Sequence, residues 1–356
     1  MTFASAGEAE RRIAGVAAAA RIVRELAEAG FAETWLVLQT GEVLGSPALA
    51  DIARLAGRSN VRVAPPERIG ELESAALGPV VRLTGDRLVP ARSIPHLLAG
   101  NQGALDSAGI RLDDRAAADA ILKQTGKAGD GPVSRWLNRP ISRRLSALVL
   151  RVPGIRPIHA TAGTALLALL MFAALVAGGE QGLVAGALLY QAASIFDGVD
   201  GEVARATFRS SRAGAVLDSV IDVTTNLLLI IGLTINLGSS GHAQALALAV
   251  WGFVLFVIGL AVIALRSARS TAPFSLDMVK HHYRGRFSSR VVRWLISAAT
   301  IVSSRDFFAL LFALLILIGL PMAVLYLFAG AATVWILFVL KSVRISSIFG
   351  LASPAA

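Results

Sequence analysis

DGVDGEVARATFRSSRAGAVLDSVID, residues 197–222, carries four aspartates at the facing ends of two apolar runs. Asp197 and Asp200 are three positions apart, so they share a face of a helix. Asp218 and Asp222 are four positions apart and share a face of the next helix. Two antiparallel helices joined by the short basic loop between these pairs would bring all four carboxylates together.

Acidic side chains beside apolar spans are costly, and they usually serve a function. Four carboxylates at close range also repel one another, and hard divalent cations such as Mg²⁺ and Mn²⁺ relieve that repulsion. The alternative is that the aspartates only cap helix ends or pair with loop arginines. Their paired spacing favours a metal site. Gly201 and Gly214 leave room for a bulky ligand or for close helix packing, and Arg205 suits a phosphate or a carboxylate.

Apolar stretches around this region predict a polytopic membrane protein. Hydrophobic residues make up 55% of the chain and charged residues 16%, which is unusual for a soluble protein. A bilayer core of about 30 Å needs about 20 helical residues. Six stretches meet or approach that length, and the fifth meets the sixth at a turn near Pro321. They are 159–178, 182–200, 214–236, 243–265, 305–320 and 322–341.

Lysine and arginine residues fix the expected orientation. The connections near 179–181, 237–242 and 321 contain none, whereas the opposite connections and both flanks are basic. The positive-inside rule therefore places both termini and the aspartates in the cytosol, with the chain in the inner or plasma membrane. The net charge of +10 belongs to these flanks, so we expect contact with membrane lipids and none with nucleic acid. Without cysteine, disulfides and thiolate sites are excluded.

The sequence before the first span divides into two parts. Residues 1–125 alternate helical and strand-like runs, which predicts a soluble α/β domain with a parallel sheet. We expect a helix near 8–29, strands at 35–38 and 61–64, and an apolar run at 80–84. Residues 126–158 form a linker with a basic amphipathic helix that we place in the membrane interface. The transmembrane domain then spans residues 159–345.

The pattern D-x2-D-G-x2-A-R-x8-G-x3-D-x3-D runs from Asp197 to Asp222 and resembles the signature of the CDP-alcohol phosphotransferases at every fixed position. The resemblance implies six membrane helices and transfer of a substituted phosphate from a CDP-alcohol donor to an acceptor hydroxyl, with release of CMP. It also implies two Mg²⁺ or Mn²⁺ ions held by the four aspartates, with Asp222 as general base. The implied CDP-binding residues are Asp197, Gly201, Ala204, Arg205, Gly214 and Asp218.

The first 125 residues are similar to the early part of sugar-nucleotide and cytidylyl transferases, and Gly85-Asp86 falls where those enzymes carry a metal-binding aspartate. Their opening strand and Gly-rich phosphate loop have no counterpart in the sequence, so we expect an inactive domain. The junction from Asp130 to Arg144 and the stretch from Ser304 to Phe307 resemble bifunctional enzymes that make CDP-inositol and di-myo-inositol phosphate phosphate. This favours a phosphoinositol or polyol phosphate as the transferred group, with phosphatidyl transfer or a soluble phosphodiester product left open.

Several further assignments rest on weaker signals. Five arginines are candidates for binding an acceptor phosphate, although each also serves as a topology determinant: Arg209, Arg212, Arg284, Arg286 and Arg305. Gly252, Gly259 and Gly330 suit either a homodimer face or packing within one bundle. A cation transporter and an inactive membrane adaptor are the competing functions. The aspartates lie at one side of the membrane and are complete, which argues against both.

Overall fold

The computed structural model describes residues 1–95, 109–112, 114–127, 130–268 and 305–348. The chain divides into two compact units whose segments alternate along the sequence. The first contains residues 1–128, 143–157 and 199–210. The second contains residues 129–142, 158–198 and 211–356.

A small parallel sheet organises the first unit. Its strands are β1 (Thr2–Phe3), β4 (Glu33–Leu38) and β5 (Asn60–Ala64), in the order β1-β4-β5. The expectation that the opening strand has no counterpart is wrong, because β1 pairs in parallel with Val37 and Leu38 of β4. Two residues are too few to display an alternating pattern in the sequence. The apolar run at 80–84 contributes one bridge, between Thr84 and Thr2, rather than a full strand.

The predicted helix near 8–29 is interrupted. Helix α1 (Ala6–Glu10) is followed by an antiparallel hairpin, β2 (Arg12–Ile13) and β3 (Val16–Ala17), and then by α2 (Ala18–Glu28). The two turn residues between the strands, Ala14 and Gly15, have φ of 45° and 81°. Successive positive φ values define the tight turn that suits a two-residue hairpin loop and that ends a right-handed helix.

The remaining elements of the first unit are short. They are α3 (Ser46–Leu55), α4 (Ile69–Ser74), β6 (Arg87–Leu88), β7 (Ile110–Arg111) and α5 (Asp114–Gln124), with β6 and β7 antiparallel. The core consists of apolar side chains from the sheet and from α2, such as Phe3, Ile22, Leu36 and Leu38, all at most 2% exposed. Burial of these aliphatic and aromatic groups is the main stabilising term for such a layer.

Long helices make up the second unit and continue into the first. Helix α6 (Arg139–Val149), preceded by a π-helical turn at Ser134–Asn138, leads to α7 (Pro157–Ala177), α8 (Gly179–Ala206), α9 (Arg212–Ser239) and α10 (Gln244–Ala268). Within the described residues, α11 (Arg305–Leu317) and α12 (Pro321–Ile348) follow. Four helices in this part of the chain are long and apolar enough to cross a membrane, namely α7, α8, α9 and residues 244–262 of α10. A count of six spans stays a prediction.

The tight turn expected near Pro321 is present. Gly319 has φ of 82°, and the amide of Leu320 donates to the carbonyl of Leu315 at 2.8 Å. A glycine with positive φ, followed by a residue whose amide donates to the carbonyl five positions earlier, is a common way for a helix to end. Proline suits the first position of the next helix.

Glycines allow the helices to pack closely. An added Cβ at Gly252 would overlap the ring of Phe328, and one at Gly259 would overlap the ring of Trp335. Both aromatic residues lie on α12, so these two glycines serve contact between α10 and α12 within the chain. A Cβ at Gly330 would meet no atom within 4 Å. Small residues at helix contacts are the common means of association in membranes.

Candidate active site

Three of the four signature aspartates form one cluster. Asp197 of α8 and Asp218 and Asp222 of α9 each offer a carboxylate oxygen, and these oxygens lie within 4.8 Å of one another. All three residues are partly buried. The spacing of Asp218 and Asp222 by one helical turn places both carboxylates on the same face, as the sequence predicts. The facing helix supplies the third.

Helix α9, which carries Asp218 and Asp222, begins at Arg212, and its start is capped. The hydroxyl of Ser211 accepts a hydrogen bond from the amide of Gly214 at 3.0 Å. Such a cap satisfies one of the amides that the first turn of a helix leaves without a partner. An added Cβ at Gly214 would lie 3.1 Å from the same hydroxyl. Gly214 itself is exposed.

Arg305, at the start of α11, forms ion pairs with two of the clustered carboxylates. Its Nη1 lies 2.8 Å from Oδ2 of Asp197 and 2.5 Å from Oδ1 of Asp222. The guanidinium is one-quarter exposed, so solvent screens these pairs only partly. A fixed cation at this position offsets the mutual repulsion of the carboxylates.

A buried asparagine connects the elements around the cluster. Asn138 is 4% exposed, and its Nδ2 donates to Oδ1 of Asp306 at 3.1 Å. Its Oδ1 accepts from Nε2 of Gln191 at 3.2 Å. These bonds tie the residue beside Arg305 to α8, which carries Asp197. A buried amide satisfied in this way specifies a single arrangement of its neighbours.

A second polar contact holds the backbone next to Asp197. The guanidinium of Arg139 binds both oxygens of Asp130, with distances of 2.8 and 3.1 Å. Its Nη1 also reaches the carbonyl of Gly198 at 3.5 Å. An added Cβ at Gly198 would lie 3.1 Å from that nitrogen and 3.2 Å from the hydroxyl of Ser142. Glycine therefore permits this close approach.

The donor set fits a divalent metal ion. Carboxylate oxygens are the ligands that Mg²⁺ and Mn²⁺ prefer. Three such groups with oxygens within 4.8 Å of one another, two of them paired with Arg305, form a site that a cation would stabilise. Asp200, expected as a further ligand, is buried and is not a member of this group of three. Its part in metal binding stays a prediction.

The other half of the signature belongs to the first unit. Arg205 donates from Nε to the carbonyl of Thr125 at 2.6 Å. Its guanidinium lies over Gly201, where an added Cβ would be 2.9 Å from Nη1. The absence of a side chain at Gly201 thus leaves room for the guanidinium of Arg205 against the helix. Ala204 and Gly201 are partly buried.

The arginines proposed for acceptor binding have different environments. Arg209 is partly buried, and burial together with the nearby Arg54 guanidinium lowers the pKa of Arg209. Arg212 is exposed. Arg284 and Arg286 lie outside the described residues. Arg305 is the one of the five that contacts the aspartate cluster in the described part of the chain.

An apolar cavity of about 330 Å³ begins beside Arg305. Aromatic rings of Phe308, Phe312 and Phe328 line it. Its polar wall is formed by Tyr190 and Asn226, whose side chains share a hydrogen bond of 2.6 Å. A cavity with one charged end and aromatic walls suits an amphipathic molecule.

A family model described as CDP-alcohol phosphatidyltransferase matches residues 157–343, which include the whole aspartate cluster and Arg305. The chain belongs to this family. The resemblance read from the signature is therefore confirmed. CDP-alcohol phosphatidyltransferases generally depend on divalent metal ions, and the acidic cluster is consistent with that dependence.

Curated relatives match part of the chain. A protein of Aquifex aeolicus named "Bifunctional IPC transferase and DIPP synthase" is 34% identical over 174 residues, covering 49% of this chain and 39% of the relative. Proteins of the same name from Thermococcus kodakarensis and Rubrobacter xylanophilus are 43% identical over 94 residues and 39% identical over 133 residues. These matches cover 26% and 37% of this chain and 20% and 30% of the relatives. The chain thus matches under half the length of each.

Sequence reasoning missed the polar residues that hold the cluster in place. Asn138, Arg139 and Tyr190 were not assigned to the site, although the first two fall within the junction that resembles bifunctional enzymes. A polar residue at the end of a basic amphipathic segment gives no sign of which distant side chain it will bind. The one signal available in the sequence was the acidic Asp130, nine residues before Arg139 in an otherwise basic segment.

Proposed function

We propose that the chain transfers a substituted phosphate from a CDP-alcohol to an acceptor hydroxyl and releases CMP. The observation that carries the proposal is the cluster of Asp197, Asp218 and Asp222, with oxygens within 4.8 Å, in a chain of this family. Phosphoryl transfer needs mainly positioning and charge neutralisation. A carboxylate cluster beside a fixed guanidinium supplies both.

The four aspartates Asp197, Asp200, Asp218 and Asp222 would hold two Mg²⁺ or Mn²⁺ ions. When bound, these ions neutralise the donor's pyrophosphate and stabilise the attacking and leaving oxygens of an in-line displacement. Asp222 takes the proton from the acceptor hydroxyl as it attacks the β-phosphorus, and the bond to CMP breaks. The ion pair with Arg305 orients the Asp222 carboxylate toward that role.

The cytidine diphosphate would lie against Gly201, Ala204, Arg205 and Gly214, with Asp197 and Asp218 at its pyrophosphate. Arg205 is held by Thr125 and can present its guanidinium to a phosphate oxygen. Among the acceptor candidates, Arg305 is favoured, because it contacts the cluster. Arg209, Arg212, Arg284 and Arg286 are proposed to attract an anionic acceptor to the same side of the membrane.

The membrane arrangement completes the proposal. Six spans within residues 159–345 would place both termini and the active site in the cytosol, following the positive-inside rule. Residues 126–158 would include an interfacial helix, which the exposed side chains of Trp136 and Leu148 support. Contact with membrane lipids follows from the apolar helix surfaces. A homodimer is proposed only because members of this family are usually dimeric. Gly252 and Gly259 do not support it, because both pack against side chains of the same chain.

The transferred group is proposed to be phosphoinositol or a related polyol phosphate. The names of the relatives refer to IPC transferase and DIPP synthase activities. The apolar cavity beside Arg305 supports a reaction in which either the donor or the acceptor carries a lipid chain. A diacylglycerol donor and a soluble phosphodiester product remain the alternatives to test.

Residues 1–125 are proposed to form a nucleotidyltransferase-like domain without that activity. After β1, the amide of Ala4 donates to the Glu8 carboxylate at 3.1 Å, and the amide of Ala6 donates to Glu42 at 2.8 Å. A related enzyme would use amides here for nucleotide phosphates. The chain's own carboxylates occupy these donors and would repel a triphosphate.

Mass spectrometry of products tests the reaction and the donor together. Purified full-length protein receives Mg²⁺ or Mn²⁺ and either CDP-inositol or CDP-diacylglycerol, with lipid and polyol acceptors. We expect CMP and a phosphodiester from one donor. The absence of CMP with every donor and acceptor would refute the transferase. Incubation of the full chain with CTP and inositol phosphate tests the N-terminal domain, where released pyrophosphate would contradict its inactivity.

A further inference from the structure

We propose that the nucleotidyltransferase-like domain acts as a clamp on the end of α8. Arg21, Arg24 and Arg54 form this clamp around residues 206–208. By fixing the helix end, they position Gly201 and Arg205 for the donor. The proposal rests on the proposed function of those residues in binding CDP. It assigns a purpose to a domain in which two backbone amides after β1 are already paired with the chain's own carboxylates.

Helix α8 ends in an unusual way. The amide of Arg209 donates to the carbonyl of Ala204 at 2.7 Å, and that of Phe208 donates to the carbonyl of Arg205 at 3.3 Å. These two bonds define a Schellman motif, whose reversing residue is normally glycine. Here the reversing residue is Phe208, with φ of 56°. Residues other than glycine rarely adopt this conformation because it is sterically unfavourable, so the surroundings of Phe208 must hold it there.

Arg21 satisfies one of the carbonyls that the helix end leaves open. Its Nη2 donates to the carbonyl of Ala206 at 2.7 Å. The same side chain donates to the carbonyls of Ile13 and Ala14 at 2.8 and 2.9 Å, and it is 1% exposed. Burial lowers the pKa of Arg21 to about 10, which still leaves it charged at neutral pH. A cation at a helix C-terminus is also favoured by the helix dipole.

Arg54 satisfies the next open carbonyl. Its Nη1 lies 3.1 Å from the carbonyl of Thr207, while its Nη2 binds Asp51 at 3.1 Å. Arg24 lies over the ring of Phe208, with 4.2 Å from its Cζ to the ring centroid, and Arg21 lies 5.3 Å from the same centroid. Two cations on one ring add attraction that a glycine at this position would lack.

The hairpin turn and α5 complete the clamp from other directions. An added Cβ at Gly15 would lie 3.2 Å from Cγ2 of Thr207, so the turn fits directly against the helix end. The carbonyl of Thr125, after α5, accepts from Arg205. Contacts from α2, α3, the hairpin and Thr125 thus converge on four consecutive residues, 205–208. Three arginines of this domain each contact one of residues 206–208, which indicates that the domain holds this helix end in place.

The consequence is a constraint on donor binding. The last turn of α8 carries Ala204 and Arg205, and the clamp satisfies the carbonyl of Ala206 at the end of this turn and that of Thr207 just beyond it. A clamped turn presents Arg205 in one orientation, which reduces the ordering cost when a nucleotide binds. A loosened turn would therefore weaken donor affinity more than it slows the chemical step.

A matched pair of substitutions tests the clamp in the full-length protein. Arg54→Met removes the contact with Thr207 and one partner of Asp51. Arg68→Met is the control, because it removes a comparable i,i+3 ion pair of the same unit, with Glu71 at 3.3 Å, and leaves the contacts with the hairpin and the helix end in place. Hydrogen–deuterium exchange of residues 204–209 and CDP affinity by calorimetry are measured with Mg²⁺. We expect exchange to rise and CDP affinity to fall, each by about tenfold, in Arg54→Met alone.

One kinetic comparison and two further variants complete the test. The KM for the donor should rise in Arg54→Met while kcat changes by less than about twofold, and Arg54→Lys should restore part of the loss. Phe208→Leu serves if Arg54→Met fails to fold, since it removes only the ring. Unchanged exchange in a folded variant, or raised exchange with wild-type CDP affinity, would overturn the clamp. A wild-type chain that binds CDP but releases no CMP would refute the proposed function and leave the clamp measurable.

Discussion

Nη1 of Arg305 lies 2.5 Å from Oδ1 of Asp222, so α11 brings a permanent cation to a carboxylate on α9. The two residues are far apart in the sequence and belong to different helices. The same nitrogen also reaches Asp197, which makes the guanidinium a shared counterion for two of the clustered aspartates. The aspartate cluster and the start of α11 are therefore coupled by charge.

Replacing Arg305 should expose this coupling. In Arg305→Met, the carboxylates repel one another without compensation, so we expect the metal-free protein to lose about 1–3 kcal/mol of stability. Added Mg²⁺ should then raise the melting temperature more than it does in the wild type. Thermal denaturation with and without metal measures both effects. Arg305→Lys keeps the charge and should show a smaller loss. An unchanged melting temperature in metal-free Arg305→Met would contradict the counterion role.

A branched side chain at position 201 should displace the guanidinium of Arg205. A Cβ at this position would lie 2.9 Å from Nη1 of Arg205, so Gly201→Val should push the guanidinium away from the donor site. We expect the donor KM to rise about tenfold in steady-state kinetics. Gly238→Val is the control, because an added Cβ there meets no atom within 4 Å. Equal donor KM values in the two variants would mean that Arg205 does not depend on this glycine.

The apolar cavity offers a way to separate lipid from soluble substrates. Ala331 lines it, so Ala331→Leu reduces the space beside Phe308 and Phe312. If a lipid chain occupies the cavity, we expect kcat/KM for the lipid substrate to fall about tenfold while a wholly soluble substrate pair is unaffected. Ala247→Leu, at an exposed position on α10, is the matched control. An equal loss with both kinds of substrate would argue against a lipid in this cavity.

The parts of the fold that follow from local pattern could be predicted. Long apolar runs gave the four helices α7 to α10, and the helical spacing of Asp218 and Asp222 gave their common face. Proline and glycine near Pro321 marked the turn between α11 and α12. These features depend on residues close together in the sequence, where helical periodicity and turn chemistry act directly.

Other features depend on contacts that the sequence does not reveal. The hairpin at Ala14-Gly15 interrupts an alanine-rich stretch that is otherwise typical of a helix, and β1 is stabilised only by pairing with β4. The bond from Asn138 to Asp306 joins distant segments, and neither residue carries a signal for the other. The residues next to Arg21 in the sequence do not indicate that its side chain is buried against the end of α8. Tertiary contact decided each of these cases.

Metal-dependent release of CMP, compared between the wild type and Asp222→Asn, tests the central claim most directly. The substitution keeps the size of the side chain and removes the carboxylate that would take the acceptor proton. We expect the wild type to release CMP from its CDP-alcohol with Mg²⁺ or Mn²⁺, and the variant to lose at least about a hundredfold in rate while it stays folded and binds CDP. A folded Asp222→Asn protein that releases CMP at the wild-type rate would contradict the assignment of this cluster as the catalytic centre.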